Sequence, residues 1–265
     1  MRQPLLHAVV ILVACLELQA CVPAQPMRDT PSLGVVDSAL ANGAPDFALR
    51  IAQNMIAKDP SSDIAWVRQG DAYTALGNPF QAEGSYRRAL KLQHNSVGAE
   101  MGLGRLALHV NPVQAAAWFA QVVARNPQDP AALNDLGIAE DLSGQHIAAQ
   151  ANYRKAIAVQ PDLSAAQVNL GLSLAVSGHA QEGAELIRPL AEGQAGTPRT
   201  REDLATALLL SGHEDAARSV LRRDVPQSQL EDSIRALRTL GSMQVVPSPE
   251  GGRTESINTG LTQGR

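Results

Sequence analysis

The chain has 265 residues, 45% of them hydrophobic but only 3% Phe, Trp or Tyr. Ala and Leu supply most of the apolar content and favour helix, and the β-branched and aromatic runs that build sheets are few. The net charge of −4 is mild and no basic stripe stands out along the sequence, which argues against a nucleic-acid partner.

Residues 1–20 read as an export signal of the lipoprotein type. Arg2 is the only charge of a short n-region, and Leu5 to Val13, apolar apart from His7, is too short to span a bilayer. Both cysteines lie here, in Leu12-Val13-Ala14-Cys15 and Leu18-Gln19-Ala20-Cys21. Each resembles the lipobox of bacterial lipoproteins, in which the Cys becomes the lipidated first residue. Cys21 gives a signal of ordinary length and is the expected lipidation site; Cys15 is the alternative. Val22 next to it, rather than an aspartate, points to the outer membrane, with the domain facing the periplasm. Cleavage after Ala24 would instead give a soluble periplasmic protein. A domain beyond these cysteines has no disulfide and no thiolate chemistry. Residues 21–30 hold Pro23 and Pro26 without periodicity and read as a tether.

From about residue 29 a pattern recurs. Residues 29–62 hold it weakly, through Gly43, Ala48, Ala52, Met55 and Pro60. Residues 63–96 carry Trp66, Gly70, Tyr73, Gly77, Ala82, Tyr86 and Ala89. Residues 97–129 are one short, with Leu103-Gly104, Phe119 and Pro127 in place and the gap near Asn111-Pro112. Residues 130–163 give Leu136-Gly137, Ser143-Gly144, Ala149, Tyr153, Ala156 and Pro161. Residues 164–197 repeat them 34 positions later as Leu170-Gly171, Ser177-Gly178, Gly183, Ile187 and Leu190. Residues 198–224 hold Leu204-Ala205, Ser211-Gly212, Ala217 and Leu221.

This period, with Leu-Gly early, Ala in the middle and an aromatic four later, is the tetratricopeptide (TPR) pattern. It predicts an all-α right-handed superhelical solenoid over residues 31–240, each repeat two antiparallel helices. Residues 228–240, with Leu230, Ile234, Leu237 and Leu240 in a helical stripe, form a cap over the last repeat. Residues 241–265, rich in Gly, Ser, Thr, Pro and Gln, read as a disordered tail. Pro189 falls inside a second helix, where Pro costs about 3 kcal/mol. A kink or early end is expected there, bending the superhelix.

In a TPR superhelix the first helices line the inner surface. The frame therefore names a candidate peptide groove: Ile64, Val67, Met101, Arg105, Asn134, Ile138, Val168, Leu172 and Thr206, flanked by Asp71, Leu108, Asp141, Ala175, Glu202 and Leu209. This largely apolar lining suits an extended peptide or an amphipathic helix, with about half its members expected to pack between repeats. The places where some TPR domains grip a C-terminal carboxylate with Lys and Asn hold Val67, Asp71, Met101 and Arg105, so that clamp is missing. Asn134 and Asn169 are expected to bond neighbouring helices.

The chemical motifs are sparse. His146, His179 and His213 fall in turns and read as solvated. No phosphate-cradling loop, nucleophile elbow or His-x-x-x-His pair occurs. The chain is read as a non-enzyme without cofactor, metal or small-molecule substrate, whose partners are proteins and, through the anchor, a membrane.

From Asn134 the likeness narrows. Asn134-Asp135-Leu136-Gly137-Ile138-Ala139, Asn169-Leu170-Gly171-Leu172-Ser173-Leu174-Ala175, Arg188-Pro189-Leu190-Ala191, Thr197-Pro198-Arg199, Leu204 to Gly212 and Leu221-Arg222-Arg223-Asp224 resemble the TadD family, the TPR lipoproteins of the Flp pilus (tight adherence, Tad) assembly system. The resemblance covers about Asp63 to Leu240. It implies an outer-membrane pilus assembly factor that helps assemble or place the secretin channel. A general periplasmic TPR adaptor, for example for cell-wall enzymes, is the alternative.

Overall fold

The computed structural model describes residues 33–244. The export signal, both cysteines, the tether and the tail after Gln244 lie outside the described residues. Thirteen helices and no strand occur among the described residues. They form six antiparallel pairs and a last single helix: α1 (Leu33–Ala41) with α2 (Pro45–Lys58), α3 (Asp63–Ala75) with α4 (Pro79–Leu92), α5 (Val97–Ala107) with α6 (Pro112–Arg125), α7 (Pro130–Leu142) with α8 (His146–Val159), α9 (Ser164–Val176) with α10 (Ala180–Glu192), α11 (Pro198–Leu210) with α12 (Glu214–Leu221), and α13 (Leu230–Gln244).

The punctuation of the sequence sets these boundaries. Proline opens α2, α4, α6, α7 and α11, where its missing N–H is not needed. Pro60, Pro127 and Pro161 each stand two residues past a helix end. The turn inside a pair is made by a glycine with positive φ, at Gly43, Gly77, Gly144, Gly178 and Gly212, a conformation that costs a Cβ-bearing residue. The short repeat lacks this glycine and has Val110 in its place. There α5 stops after 11 residues, against 13 for its counterparts α3, α7, α9 and α11. The chain then reaches α6 through Asn111, whose side chain accepts from Gln114 N at 3.1 Å.

Within a pair the contact is a socket. A Cβ on Gly70 would come within 2.5 Å of the Tyr86 ring, on Gly104 within 2.4 Å of Phe119, and on Gly137 within 2.6 Å of Tyr153. The first helix gives up its side chain so that the second can lay a ring on its backbone. The next pair places Ile187 on Gly171, and there Gly183 brings backbone against backbone: a Cβ on it would lie 2.2 Å from the Gly171 oxygen. In the terminal repeats the same two frame positions hold Val36 with Ala52 and Ala205 with Leu221, all buried. A large residue on one helix thus always faces a small one on the other.

Successive first helices also pack on each other, α1 on α3, α3 on α5, α7 on α9 and α9 on α11, whereas successive second helices make no comparable contact. The second helices are therefore splayed outside, and the first helices line a concave inner surface. At the C-terminal end Leu230 and Ile234 of α13 join Leu204, Leu208 and Leu221 in one core. This helix caps the last repeat, starting two residues after the expected position and running four residues beyond Leu240.

Pro189 does not interrupt its helix: α10 is continuous from Ala180 to Glu192, 13 residues against 14 for α2, α4, α6 and α8. It sits in the last turn, and both Pro189 and Glu185, whose carbonyl loses its partner, are on the exposed side. The departure from the repeat comes after the helix, where Gly193 N bonds to Pro189 O at 3.1 Å and a Cβ on Gly196 would meet the Ala191 oxygen at 2.2 Å.

Two alanine substitutions separate helix propensity from socket geometry. Gly183→Ala should destabilise by about 1–3 kcal/mol through overpacking. Gly84→Ala, exposed in α4 with nothing within 4 Å of its Cβ position, should stabilise by about 0.5–1 kcal/mol. Denaturant unfolding followed by circular dichroism checks both signs.

Candidate functional site: the concave face

The inner surface has an open region near each end and a closed centre. The first opening is a cleft of about 540 Å³ between α3 and α5, lined by Ile64, Val67, Arg68, Gln93 and Val97. The second, of about 290 Å³, lies between α9 and α11 and is lined by Ser164, Val168, Asn169, Leu172, Arg199 and Asp203. The two occupy equivalent places in the frame, two repeats having Ile64/Ala165, Val67/Val168 and Arg68/Asn169 in register.

Between them the surface is sealed by polar side chains bonded to one another. Arg105 Nε donates to Asp135 Oδ2 at 2.8 Å. Asn134 Nδ2 reaches Asp135 Oδ1 at 3.4 Å, and Asn169 Nδ2 donates to Asn134 Oδ1 at 2.9 Å. Three inner helices, α5, α7 and α9, are thus laced together. The Arg105–Asp135 bridge has a counterpart with the charges exchanged: Arg68 Nε lies 2.7 Å from Asp37 Oδ1, again joining the ninth position of one frame to the sixth of the next. Glu100, fully buried at the start of α5, is paired with Arg125 of α6.

The buried tyrosines demand acceptors, and these come from the inner helices. Tyr86 donates to Asp71 Oδ1 at 2.8 Å, with Thr74 Oγ1 at 3.2 Å from the same hydroxyl. Tyr153 donates to Asp141 Oδ2 at 2.9 Å, and Ser173 of α9 donates to Asp141 Oδ1 at 2.8 Å. Where Phe119 or Ile187 replaces tyrosine, the corresponding inner positions carry no carboxylate: Arg105 and Leu108 in one repeat, Leu172 and Ala175 in the other. Burial pushes the Asp71 carboxyl up, while the Tyr86 hydroxyl and Arg68 pull it down. Burial, and then the facing carboxylates, push both phenols well above the usual tyrosine range. Asp203, buried beside Arg199, is also raised by desolvation.

The groove residues named from the frame divide accordingly. Ile64 is 45% exposed at the first cleft, and Leu172 is half-buried at the second. Arg105 is exposed, and Ile138 and Thr206 are half-buried. Val67, Met101, Asn134 and Val168 are buried in the seams between repeats, and their side chains pack rather than project. Asn134 and Asn169 do bond neighbouring helices, each other in particular. His146 differs from the solvated turn residue expected: it opens α8, its Nδ1 lies 2.8 Å from Asp141 Oδ1, and its Nε2 is buried. Arg68, Asp135, Arg199 and Asp203 were missed. For Arg68 and Asp135 the signal is a spacing: opposite charges 31 and 30 residues apart in Asp37–Arg68 and Arg105–Asp135, three or four short of the period. Arg199 and Asp203 pair within α11, four residues apart.

No group of three or more His, Cys, Asp or Glu among the described residues is placed to hold a metal ion. No described helix is long and apolar enough to cross a membrane.

A scan of protein-family models found no match, and a search of curated proteins also found none. Solved structures do match. PilW, described as a widely conserved type IV pilus biogenesis factor, aligns at a TM-score of 0.65 and 19% identity, covering 77% of this chain and 95% of that one. PilF of Pseudomonas aeruginosa aligns at 0.62 and 15%, covering 77% and 94%. A thermophilic TPR protein of Thermus thermophilus aligns at 0.56 and 21%, covering 69% and all of that chain. At these identities the likeness is one of fold, and the chain is an all-α TPR solenoid.

The raised phenols set the alkaline limit of stability. In the unfolded chain Tyr86 and Tyr153 ionise at the ordinary tyrosine range, below their folded values, so their contribution is full below that range and is lost as pH rises through the folded one. A titration following phenolate absorbance and helical circular dichroism together should show these two tyrosines ionising in the same step that melts the helices. Ionisation of all three tyrosines with the helices intact would contradict the buried Tyr–Asp bonds.

Proposed function

We propose that the chain is a lipid-anchored TPR assembly factor of the Flp (Tad) pilus machinery, held at the outer membrane through Cys21, or Cys15 in its place. Its concave face binds other pilus components, the secretin among them. The observation that carries the reading is the pair of equivalent open clefts, at Ile64 and at Leu172, on either side of a self-satisfied polar seam. A seam whose donors and acceptors already bond one another offers little to a ligand; the clefts offer apolar wall with Arg68, Gln93, Asn169 and Arg199 at the rim. An extended peptide or amphipathic helix with apolar residues near both ends fits this arrangement. The resemblance to the TadD family supports the choice of machine, as does the fold shared with PilW, a type IV pilus biogenesis factor.

Ile64→Glu and Leu172→Glu test it. Each buries a charge in the complex; Ile64 is exposed in the free chain, whereas Leu172 also packs on the core of the last repeats, so the melting curve of each variant is measured beside its binding. Each should weaken capture of the purified secretin by about tenfold or more, the range of a single interface anchor. Unchanged capture by both variants, with pili and secretin multimers intact in a deletion strain, would remove the assembly role; capture of a different envelope complex would favour the general adaptor. The anchor has its own check. Labelling cells with a palmitate analogue should mark the wild type and not Cys21→Ala. Loss of label only in Cys15→Ala would move the site.

A further inference from the structure

Folding sorts the charges of this chain by layer. The four inner helices α1, α3, α5 and α7 carry seven carboxylates against two arginines, whereas the four outer helices α2, α4, α6 and α8 carry eight Lys or Arg against two carboxylates. The basic layer ends there: α10 and α12 carry five carboxylates against two arginines.

The same outer helices expose apolar residues in register. Phe80, Val113 and Ile147 are each the second residue of their helix, and are 83%, 65% and 87% exposed. Each starts a solvent-facing stripe at helical spacing. In α4 it continues through Gly84, Arg87 and Lys91; in α6 through Ala117 and Ala120; in α8 through Ala151, Arg154 and Ala158, and all of these are exposed. Glu83, the one acid of these three helices, is tied to Arg87 at 2.7 Å. Lys91 and Arg154 form no ion pair among the described residues. In α10 the equivalent stripe is Gln181, Glu185, Arg188 and Glu192, so the pattern is confined to three central repeats.

We infer that the convex face of α4, α6 and α8 docks on an anionic phospholipid bilayer. Apolar tips among cations and small residues are the composition of an interfacial surface: the tips enter the headgroup boundary and the cations meet lipid phosphates. Cation charge of one sign complements such a surface. A cleft of about 360 Å³ opens beside Phe80 and Trp118 between α4 and α6, but the tips at Val113 and Ile147 do not line it, and the three tips spread over three helices suit a broad plane. The inner face, acidic in the same repeats, would be turned away from the lipid and left to the partner. This inference does not depend on which partner the concave face binds.

The test is flotation of the full chain with vesicles of phosphatidylcholine alone or with added phosphatidylglycerol. Binding should rise with the anionic fraction and fall with salt. The double variant Lys91→Glu/Arg154→Glu should lower the bound fraction by about tenfold or more, from roughly a fivefold loss per cation near the surface. Phe80→Ser/Ile147→Ser should lower it as well, and both variants should keep the wild-type melting curve, since the four residues are exposed. Binding equal on neutral and anionic vesicles and unchanged in both variants would overturn the inference and leave the N-terminal segment as the membrane contact. Vesicle binding intact with loss of a purified pilus component would also overturn it, making this face a protein-docking surface.

Discussion

The structure depends on a steric constraint repeated in each helix pair: where the second helix carries a large side chain, the first must carry almost none. Gly70, Gly104 and Gly137 accept the rings of Tyr86, Phe119 and Tyr153, and Gly171 accepts Ile187. A glycine in a helix interior costs about 1 kcal/mol in propensity. Burying a ring of this size contributes more, about 1.5–3 kcal/mol. Because the socket fixes how closely the two helices approach, it also fixes the angle at which the next pair can stack. The terminal repeats meet the constraint with other partners, Val36 with Ala52 and Ala205 with Leu221, so volume is conserved across the contact while identity is not.

The socket then dictates the polarity of the inner face. A tyrosine ring seated on glycine drives its hydroxyl through to the far side of the first helix, where it must find an acceptor. Asp71 and Asp141 are there for that reason. Once present, these carboxylates draw in Arg68, Ser173 and His146. Together with the Arg105–Asp135 and Asn134–Asn169 bonds they close the centre of the concave surface. The clefts at Ile64 and at Leu172 lie on either side of this centre. The inner face is thus less an apolar trough than two apolar clefts joined by a polar bridge.

Much of this was legible in the sequence. The 34-residue period gave the fold, the pairing of helices, the turn glycines and the cap, because each depends on local spacing. The groove was legible as a set and not by member. Val67, Met101 and Val168 occupy inward frame positions, but neighbouring repeats approach closely enough to bury them. The cross-repeat ion pairs were hidden because they join different frame positions, and their spacing is not the period. Pro189 leaves its helix unbroken and one residue short, because its place in the last turn, on the exposed side, costs only the Glu185 carbonyl its partner. The basic outer layer was invisible to a linear reading: the charges alternate along the chain and separate only when alternate helices fold to opposite sides.

The central claim is that partners engage the inner layer at its two clefts. Hydrogen–deuterium exchange of the full chain, with and without purified secretin, tests it most directly. The account predicts added protection at the N-terminal turns of α3 and α5 and of α9 and α11, with the outer helices α4, α6 and α8 unchanged. Protection confined to the outer helices, or none on any inner helix under saturating secretin, would contradict it.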